Sequence, residues 1–313
     1  MLSEKPWKSE ATLRLLLGLL LCHLLGMIAM GAVRHNQGAG SAPVGVFWAL
    51  ALGCVAACGG ALYCLREPWQ VERFTRQFAA FLGGLYLALT FAWFALHFAG
   101  KPTGENPALR VLVAALSFQG AALVLLQRYT REHQVGWRDA FGFSVNWPYA
   151  VLLGGLAACS FLPCALLLQI ASGKIMTQFS VKPETQPAIE ALGATVTWLD
   201  RATIGIAAVG LAPVAEELLF RGVLYPAVKR AGFPRLALWG TSVVFAAIHW
   251  NLPTFLPLLL LALGLVWLYE RTGNLLAPIA AHATFNACNF ALFYVLPWAA
   301  DHWPVFRNLF APA

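Results

Sequence analysis

Charged residues are scarce in this chain. Only 11% of its 313 residues are Asp, Glu, Lys or Arg, whereas about 25% of the residues in a typical soluble domain are charged. Hydrophobic residues make up 59% of the sequence. This composition excludes an intrinsically disordered chain, a coiled coil and an ordinary cytosolic enzyme, and it favours a polytopic membrane protein.

Several sequence patterns are also missing. The seven cysteines form no C-x-x-C pair, so no cysteine-based zinc or redox site is predicted. The apolar runs do not alternate with polar residues, which excludes a transmembrane β-barrel. Basic and aromatic residues are not interleaved as in a nucleic-acid-binding protein, so no nucleic-acid partner is predicted. We interpret the net charge of +7 as loop charge that attracts anionic membrane lipid.

Long apolar runs separate the charged stretches, and about 20 apolar residues suffice to cross a bilayer as a helix. We therefore predict an all-α fold, a polytopic transmembrane helical bundle of about eight or nine helices. The predicted spans are Leu13–Val33, Val44–Leu65, Ala79–Ala99, Leu109–Leu126, Tyr149–Ala171, Ile204–Leu224, Leu236–His249, Phe255–Tyr269 and Leu275–Leu296. The seventh and eighth are short and could form one re-entrant or tilted pair.

The distribution of Lys and Arg predicts an orientation. With the N-terminus inside, the cytoplasmic loops hold more basic residues than the outer loops, which is the usual bias of membrane proteins. We therefore predict an integral membrane protein with a cytoplasmic N-terminus. The excess of Arg over Lys, together with abundant Ala and Leu, favours a bacterial source and hence the cytoplasmic (inner) membrane.

Polar residues divide the chain into two parts, which we expect to form one structural unit. Residues 1–145 hold four predicted spans with few polar groups inside the membrane. Residues 146–313 hold three polar motifs, at 216–221, 245–249 and 282–286.

The longest polar connection between spans covers residues 172–203. Two interpretations stay open for it: an ordinary external loop, or a lid that guides substrate to a site nearby. Within this connection, residues Pro187–Leu199 are expected to form a short interfacial helix.

Two carboxylates and a guanidinium interrupt the apolar run that begins at residue 204. On insertion scales, a charged group at the centre of a membrane costs about 2.5–3.5 kcal/mol, so Glu216, Glu217 and Arg221 require an explanation. Glu217 and Arg221 are four residues apart and can pair on one helical face. Glu216 points about 100° away from Glu217, which leaves it available to face a cavity.

Three more polar side chains follow on two later spans. His249 ends an apolar helix, and His282 and Asn286 are four residues apart on one face of the last span. A carboxylate near an imidazole can take a proton from water, and a second imidazole and an amide can donate to the oxyanion formed on a peptide carbonyl. Each residue alone is also compatible with a structural role, but together they favour hydrolysis.

These residues resemble the motifs of the CPBP family of intramembrane proteases, which contains the type 2 CAAX prenyl proteases and bacteriocin-processing, Abi-like enzymes. Glu216-Glu217-Leu218-Leu219-Phe220-Arg221 matches E-E-x-x-x-R, Phe245 to His249 matches F-x-x-x-H, and His282 to Asn286 matches H-x-x-x-N. The resemblance covers about residues 200–297. It implies an intramembrane endopeptidase with an α-helical fold of about eight spans.

The resemblance also implies a role for each matched residue. Glu216 and His249 would activate the water, and His282 and Asn286 would stabilise the oxyanion. Glu217, Arg221 and Phe245 would support them. The substrate would be a membrane-associated protein or peptide, either lipidated or a small secreted peptide precursor.

Three alternatives stay open. Glu216, His249 and His282 could instead hold a catalytic zinc ion, although the chain has no H-E-x-x-H motif and we favour no cofactor. Intramembrane Glu and His also occur in proton-coupled transporters, although no inverted repeat is visible. The third alternative is a non-catalytic peptide-binding or immunity protein.

Overall fold

The computed structural model describes residues 5–37, 107–144, 146–195 and 197–302. No strand occurs within these ranges, and the predicted all-α fold is confirmed. In chain order the helices are α1 (Ser9–Gln37), α2 (Pro107–Ala115), α3 (Ala121–Glu132), α4 (Trp137–Phe141), α5 (Trp147–Gln178), α6 (Pro187–Gly193), α7 (Trp198–Gly205), α8 (Ala212–Leu219), α9 (Tyr225–Arg230), α10 (Pro234–Ala247), α11 (Leu252–Thr272) and α12 (Leu276–His302). π-Helical turns join α2 to α3, α7 to α8 and α8 to α9, at Leu116–Gly120, Ile206–Leu211 and Phe220–Leu224.

The chain divides into two compact units. One comprises the described residues between Pro6 and Gln134, and the other comprises Lys5 and the described residues from Val135 onward. In the first unit, α1 packs along α2 and α3. The Thr12 hydroxyl lies 2.8 Å from the Tyr129 hydroxyl, and Arg14 forms an ion pair with Glu132.

Helix α5 packs against both α11 and α12 in the second unit. The backbones of α5 and α12 approach closely at Gly154, where a Cβ atom would lie 2.2 Å from the Ala277 carbonyl oxygen. Glycine is therefore needed here for the contact, because any larger side chain would separate the two helices.

The helix that carries the first motif runs without a break from Trp198 to Arg230 and contains both π-helical turns of the second unit. Each π turn directly precedes a segment that has proline in its first turn, at Pro213 and Pro226. Proline lacks the N–H for an α-helical bond and its ring clashes with the preceding turn, so a wider turn accommodates it. Residues 215–223 are buried on every side, which places this stretch in the core of the second unit.

Six helices in the described part are long and apolar enough to cross a membrane, and they confirm a polytopic bundle. They are Ser9–Met27, Val111–Glu132, Trp147–Gln178, Trp198–Arg230, Leu252–Thr272 and Leu276–Trp298. The predicted spans Val44–Leu65 and Ala79–Ala99 lie outside the described residues. The total number of spans and the division at residue 145 stay predictions.

Most helix ends differ from the predicted ones by a few residues, and three of the differences lie near the motifs or in the connection before them. The eighth span is not short, because α11 has 21 residues: the Asn251 side chain accepts from the Thr254 amide and starts the helix earlier than predicted. The seventh span is short, and its helix ends at Ala247, so His249 lies in the following turn. The interfacial helix predicted for Pro187–Leu199 ends at Gly193, and a second helix begins at Trp198.

Candidate active site

Glu217 and Arg221 form a fully buried ion pair. The Arg221 guanidinium donates to Glu217 Oε1 over 2.9 Å, and the two side chains are 1% and 0% exposed. A second guanidinium nitrogen of Arg221 donates to the Ala262 carbonyl of α11 over 3.0 Å. The pairing predicted from the four-residue spacing is confirmed, and it also connects this helix to α11.

His282 of α12 shares the same carboxylate oxygen. Its Nδ1 lies 2.9 Å from Glu217 Oε1, and the residue is 2% exposed. Glu217, which pairs with Arg221, is an acceptor when ionised, so His282 Nδ1 is the donor. The other ring nitrogen, Nε2, is then left for other partners.

The Phe245 ring lies among the charged and imidazole groups. Its centroid is 4.6 Å from the Arg221 guanidinium carbon, 5.6 Å from the His282 ring and 5.0 Å from the His249 ring. A cation within about 6 Å of an aromatic ring is attracted to its face. The four-residue spacing of the second motif thus has a local cause, since the Phe245 and His249 rings contact each other across one turn.

His249 is half-buried in the turn between α10 and α11. Its Nδ1 lies 2.7 Å from the Phe245 carbonyl oxygen. A carbonyl only accepts hydrogen bonds, so Nδ1 carries a proton here. Neutral His249 therefore presents Nε2 as an acceptor, which is the state that a water-activating base needs.

The remaining two predicted site residues are held differently. Glu216 is 7% exposed and adjoins Glu217 on α8. Asn286 is half-buried on α12, one turn after His282, and its amide donates over 2.8 Å to the Ala208 carbonyl oxygen in a π-helical turn. One N–H of the Asn286 amide is thus used by the fold, and the amide has a second one.

A three-ligand zinc site finds no support in this geometry. Within the described ranges, no group of three or more His, Cys, Asp or Glu side chains is arranged to hold a metal ion. The acidic partner of His282 is Glu217, which the zinc hypothesis did not include. We therefore derive no step through a metal.

The sequence predicted the pairing inside one helix but missed the partners that come from other helices. The bond from His282 to Glu217 crosses 65 positions in the chain, and the bond from Asn286 to Ala208 crosses 78. The Ala208 and Ala262 partners are backbone carbonyls, which no side-chain motif marks. One signal was available in the sequence. A guanidinium has five N–H donors, so a buried Arg221 paired with a single carboxylate of its own helix needs further acceptors from other helices.

Comparisons with known proteins agree with the motifs. Residues 198–288 match the family model described as type II CAAX prenyl endopeptidase Rce1-like. Among curated proteins, the chain is 39% identical over 79 residues to the "Uncharacterized protein YpbD" of Bacillus subtilis, a match covering 23% of this chain and 36% of that protein. It is 24% identical over 196 residues to the "Putative membrane peptidase YdiL" of the same organism, covering 60% and 74%.

A third relative is the "UPF0177 protein YxdF" of Lactococcus lactis, which is 29% identical over 77 residues, covering 24% of this chain and 42% of that protein. The chain thus spans well under two thirds of the length of two of these three relatives. No solved structure matches the chain. The family match covers all three motifs, so the segment 198–288 of this membrane protein is similar to the Rce1-like type II CAAX prenyl endopeptidases, in agreement with the resemblance of the motifs to the CPBP family.

Proposed function

We propose that this chain is an intramembrane endopeptidase that hydrolyses a peptide bond of a membrane-associated protein or peptide. The observation that carries the proposal is the buried Arg221–Glu217–His282 cluster inside the segment that matches the endopeptidase family. Buried charges at membrane depth are expensive and are retained where they serve a function.

In the proposed reaction Glu216 and His249 activate one water molecule. Glu216 takes a proton from this water, and His249 Nε2 accepts a hydrogen bond from it. The resulting hydroxide adds to the carbonyl carbon of the substrate and forms a tetrahedral oxyanion. The carbon–nitrogen bond then breaks, and the proton on Glu216 passes to the departing amine.

His282 and Asn286 would donate to the oxyanion. Because Nδ1 of His282 is bound to Glu217, Nε2 can donate only when the ring carries both protons. Glu217 would orient the ring, as an acidic neighbour orients the imidazole in other hydrolytic sites. Asn286 would use the amide N–H that does not bind Ala208. Glu217 would thus support catalysis through His282, and Arg221 would hold Glu217 in place.

The substrate class follows from the location of the site. Six membrane-crossing helices and a buried polar cluster favour a substrate that reaches the site from the membrane. The family description, which names CAAX prenyl endopeptidases, makes a prenylated C-terminal peptide the first probe, and a small secreted peptide precursor the second. We further propose that the protein lies in a bacterial cytoplasmic membrane with its N-terminus inside.

The test compares wild type with Glu216→Gln, which keeps the size of the side chain and removes its basicity. Both full-length proteins, purified in detergent, are incubated with an internally quenched peptide that ends in a farnesylated CAAX sequence. Mass spectrometry of membranes from cells expressing each protein then finds other cleaved peptides. We expect Glu216→Gln to lower the cleavage rate by about 10²–10⁴-fold, the usual contribution of a general base.

A matched control makes the same chemical change elsewhere. Glu190 on α6 is exposed, and Glu190→Gln should cleave like wild type. Equal rates for wild type and Glu216→Gln would refute the proposed role of Glu216. Activity that disappears on chelation and returns only with zinc would favour the metal-dependent alternative. Proton-dependent flux in liposomes without any cleavage would favour a transporter.

A further inference from the structure

The turn that carries His249 is short and strained. It joins α10, which ends at Ala247, to α11, which begins at Leu252. Trp250 adopts a left-handed backbone with φ of 48°, a conformation that non-glycine residues rarely adopt. Strained residues of this kind persist only where the surrounding structure holds them, so the contacts of this turn decide where His249 lies.

The segment 181–186, which follows α5, supplies such contacts. The Asn251 side-chain amide donates to the Glu184 carbonyl oxygen over 2.9 Å. The Gln186 side-chain amide donates to the Thr254 hydroxyl over 2.9 Å. We refer to residues 181–186 as the strap.

These hydrogen bonds form a closed circuit of four residues, Gln186, Thr254, Asn251 and Glu184, in which the donor and the acceptor of each bond can be assigned. The Thr254 hydroxyl accepts from Gln186 and donates to Asn251 Oδ1 over 2.7 Å. Asn251 Oδ1 also accepts from the Thr254 backbone amide over 3.2 Å, so the Asn251 amide nitrogen is the atom that points at Glu184. Asn251 and Thr254 are buried, at 6% and 7% exposure, whereas Glu184 is exposed. The circuit therefore joins an exposed segment to the buried start of α11.

Asn251 has two separable functions in this circuit. Its oxygen caps the N-terminus of α11, and its nitrogen holds the strap. The residue lies two positions after His249, with the strained Trp250 between them. His249 is fixed on the other side by its bond to the Phe245 carbonyl. The ring of His249 is thus held from α10 through its own side chain and from the strap through Asn251.

We propose that Asn251 is a positioning residue for His249, and that the strap fixes the turn in which His249 presents Nε2 to the reacting water. The inference rests on the proposed function, since it assigns His249 to water activation. Displacing a catalytic group by about 1 Å can lower a rate by about 10²-fold. Loss of the strap should therefore lower kcat and leave substrate binding nearly unchanged.

The decisive variant is Asn251→Asp, which keeps the oxygen that caps α11 and removes the donor to Glu184. The reporter is an internally quenched peptide built around a bond that wild type cuts and Glu216→Gln does not. We expect kcat to fall by about 10- to 100-fold and KM to stay within about twofold of wild type. Asn251→Ser introduces a good helix cap without charge and should lower kcat by a similar factor. Agreement between the two variants would exclude an effect of the carboxylate that Asp introduces.

A control variant removes a helix cap from the same connection, eleven positions after the last residue of the strap. Thr197 caps α7 by accepting from the Asp200 amide, and Thr197→Ala should leave kcat unchanged. If neither Asn251 variant accumulates as folded protein, the half-buried strap residue Gln186 provides the deciding variant. Gln186→Ala removes the donor to Thr254 and should lower kcat severalfold. An unchanged kcat in the variant that decides, or a higher KM with unchanged kcat, would overturn the proposal, because the strap would then not position His249.

Hydrogen exchange separates the failure of this inference from the failure of the proposed function. The amides of Ile248, His249 and Trp250 are bound to carbonyls of α10 and should exchange slowly in wild type. We expect faster exchange at these three amides in Asn251→Asp, whether or not any peptide is cleaved. Equal exchange in the two proteins would show that the strap does not hold the turn, even if the chain proves to be a protease.

Discussion

Two carboxylates of the second unit, Glu217 and Glu270, each accept two hydrogen bonds on one oxygen, but one side chain is fully buried and the other is partly exposed. Glu217 of α8 accepts from Arg221 and His282, and Glu270 of α11 accepts from Lys229 over 2.6 Å and from the Tyr225 hydroxyl over 2.7 Å. Both carboxylates thus join neighbouring helices through one oxygen. The Glu217 side chain is 0% exposed, whereas that of Glu270 is 34% exposed.

The difference in burial decides what each cluster contributes. An exposed ion pair adds about 0–1 kcal/mol, because water solvates the separated charges nearly as well. A buried pair is not a strong source of stability either, but removal of one partner leaves a charge without solvent or counter-charge. Loss of one partner should therefore destabilise the protein strongly in the buried Glu217 cluster and only weakly in the exposed Glu270 cluster. This contrast separates the candidate site from an ordinary helix contact more clearly than the residue types do.

The largest effect is expected from removal of the buried carboxylate. Glu217→Ala removes the carboxylate that pairs directly with Arg221 and leaves the guanidinium with the Ala262 carbonyl, the Phe245 and Phe220 rings and the neighbouring Glu216, so the free energy of unfolding should fall by about 3–5 kcal/mol. It is measured by titrating the full chain with denaturing detergent in mixed micelles. Glu270→Ala is the matched control and should lower the same free energy by about 1 kcal/mol or less. Equal losses in the two variants would show that burial does not distinguish the clusters.

A smaller effect is expected next to the buried cluster, at the glycine that follows Arg221. A Cβ atom at Gly222 would lie 2.8 Å from the Phe141 ring and 3.0 Å from the Leu275 side chain. Overpacking of this kind typically costs about 1–3 kcal/mol, so Gly222→Ala should lower the free energy of unfolding by that amount.

The control for this substitution lies in the same long helix. Gly210 is exposed, and a Cβ atom there meets nothing within 4 Å. Gly210→Ala should leave stability unchanged or raise it by up to about 1 kcal/mol, since Ala is the better helix former. The same detergent titration measures both variants. A Gly222→Ala protein as stable as Gly210→Ala would mean that Phe141 and Leu275 move aside.

Sequence periodicity predicted the parts of this molecule that depend on one helix at a time. Apolar runs located the described spans, and the four-residue spacing of Glu217 and Arg221 predicted their ion pair. Both predictions use local geometry, which the bilayer and the α-helix fix in advance.

The contacts between helices could not be predicted in the same way. Nothing in the sequence indicates that His282 bonds to Glu217 rather than to Glu216, because the two carboxylates are neighbours and only the packing of α12 selects between them. The position of His249 outside its helix also depends on a partner, since Asn251 is held by a backbone carbonyl of the strap. The π-helical turns had a partial signal in Pro213 and Pro226, which mark an interruption but not its kind.

The smallest effect is expected from the exposed cluster. Lys229→Ala removes the ion pair with Glu270 but leaves the bond from the Tyr225 hydroxyl, and both charged side chains are more than a third exposed. The free energy of unfolding should fall by about 0–1 kcal/mol. At 1 M salt the Debye length is about 3 Å, so the difference between variant and wild type should disappear there. A loss that persists at high salt would mean that Lys229 stabilises the end of α9 by packing rather than by charge, and the contrast with Glu217 would then reflect more than burial of the ion pair.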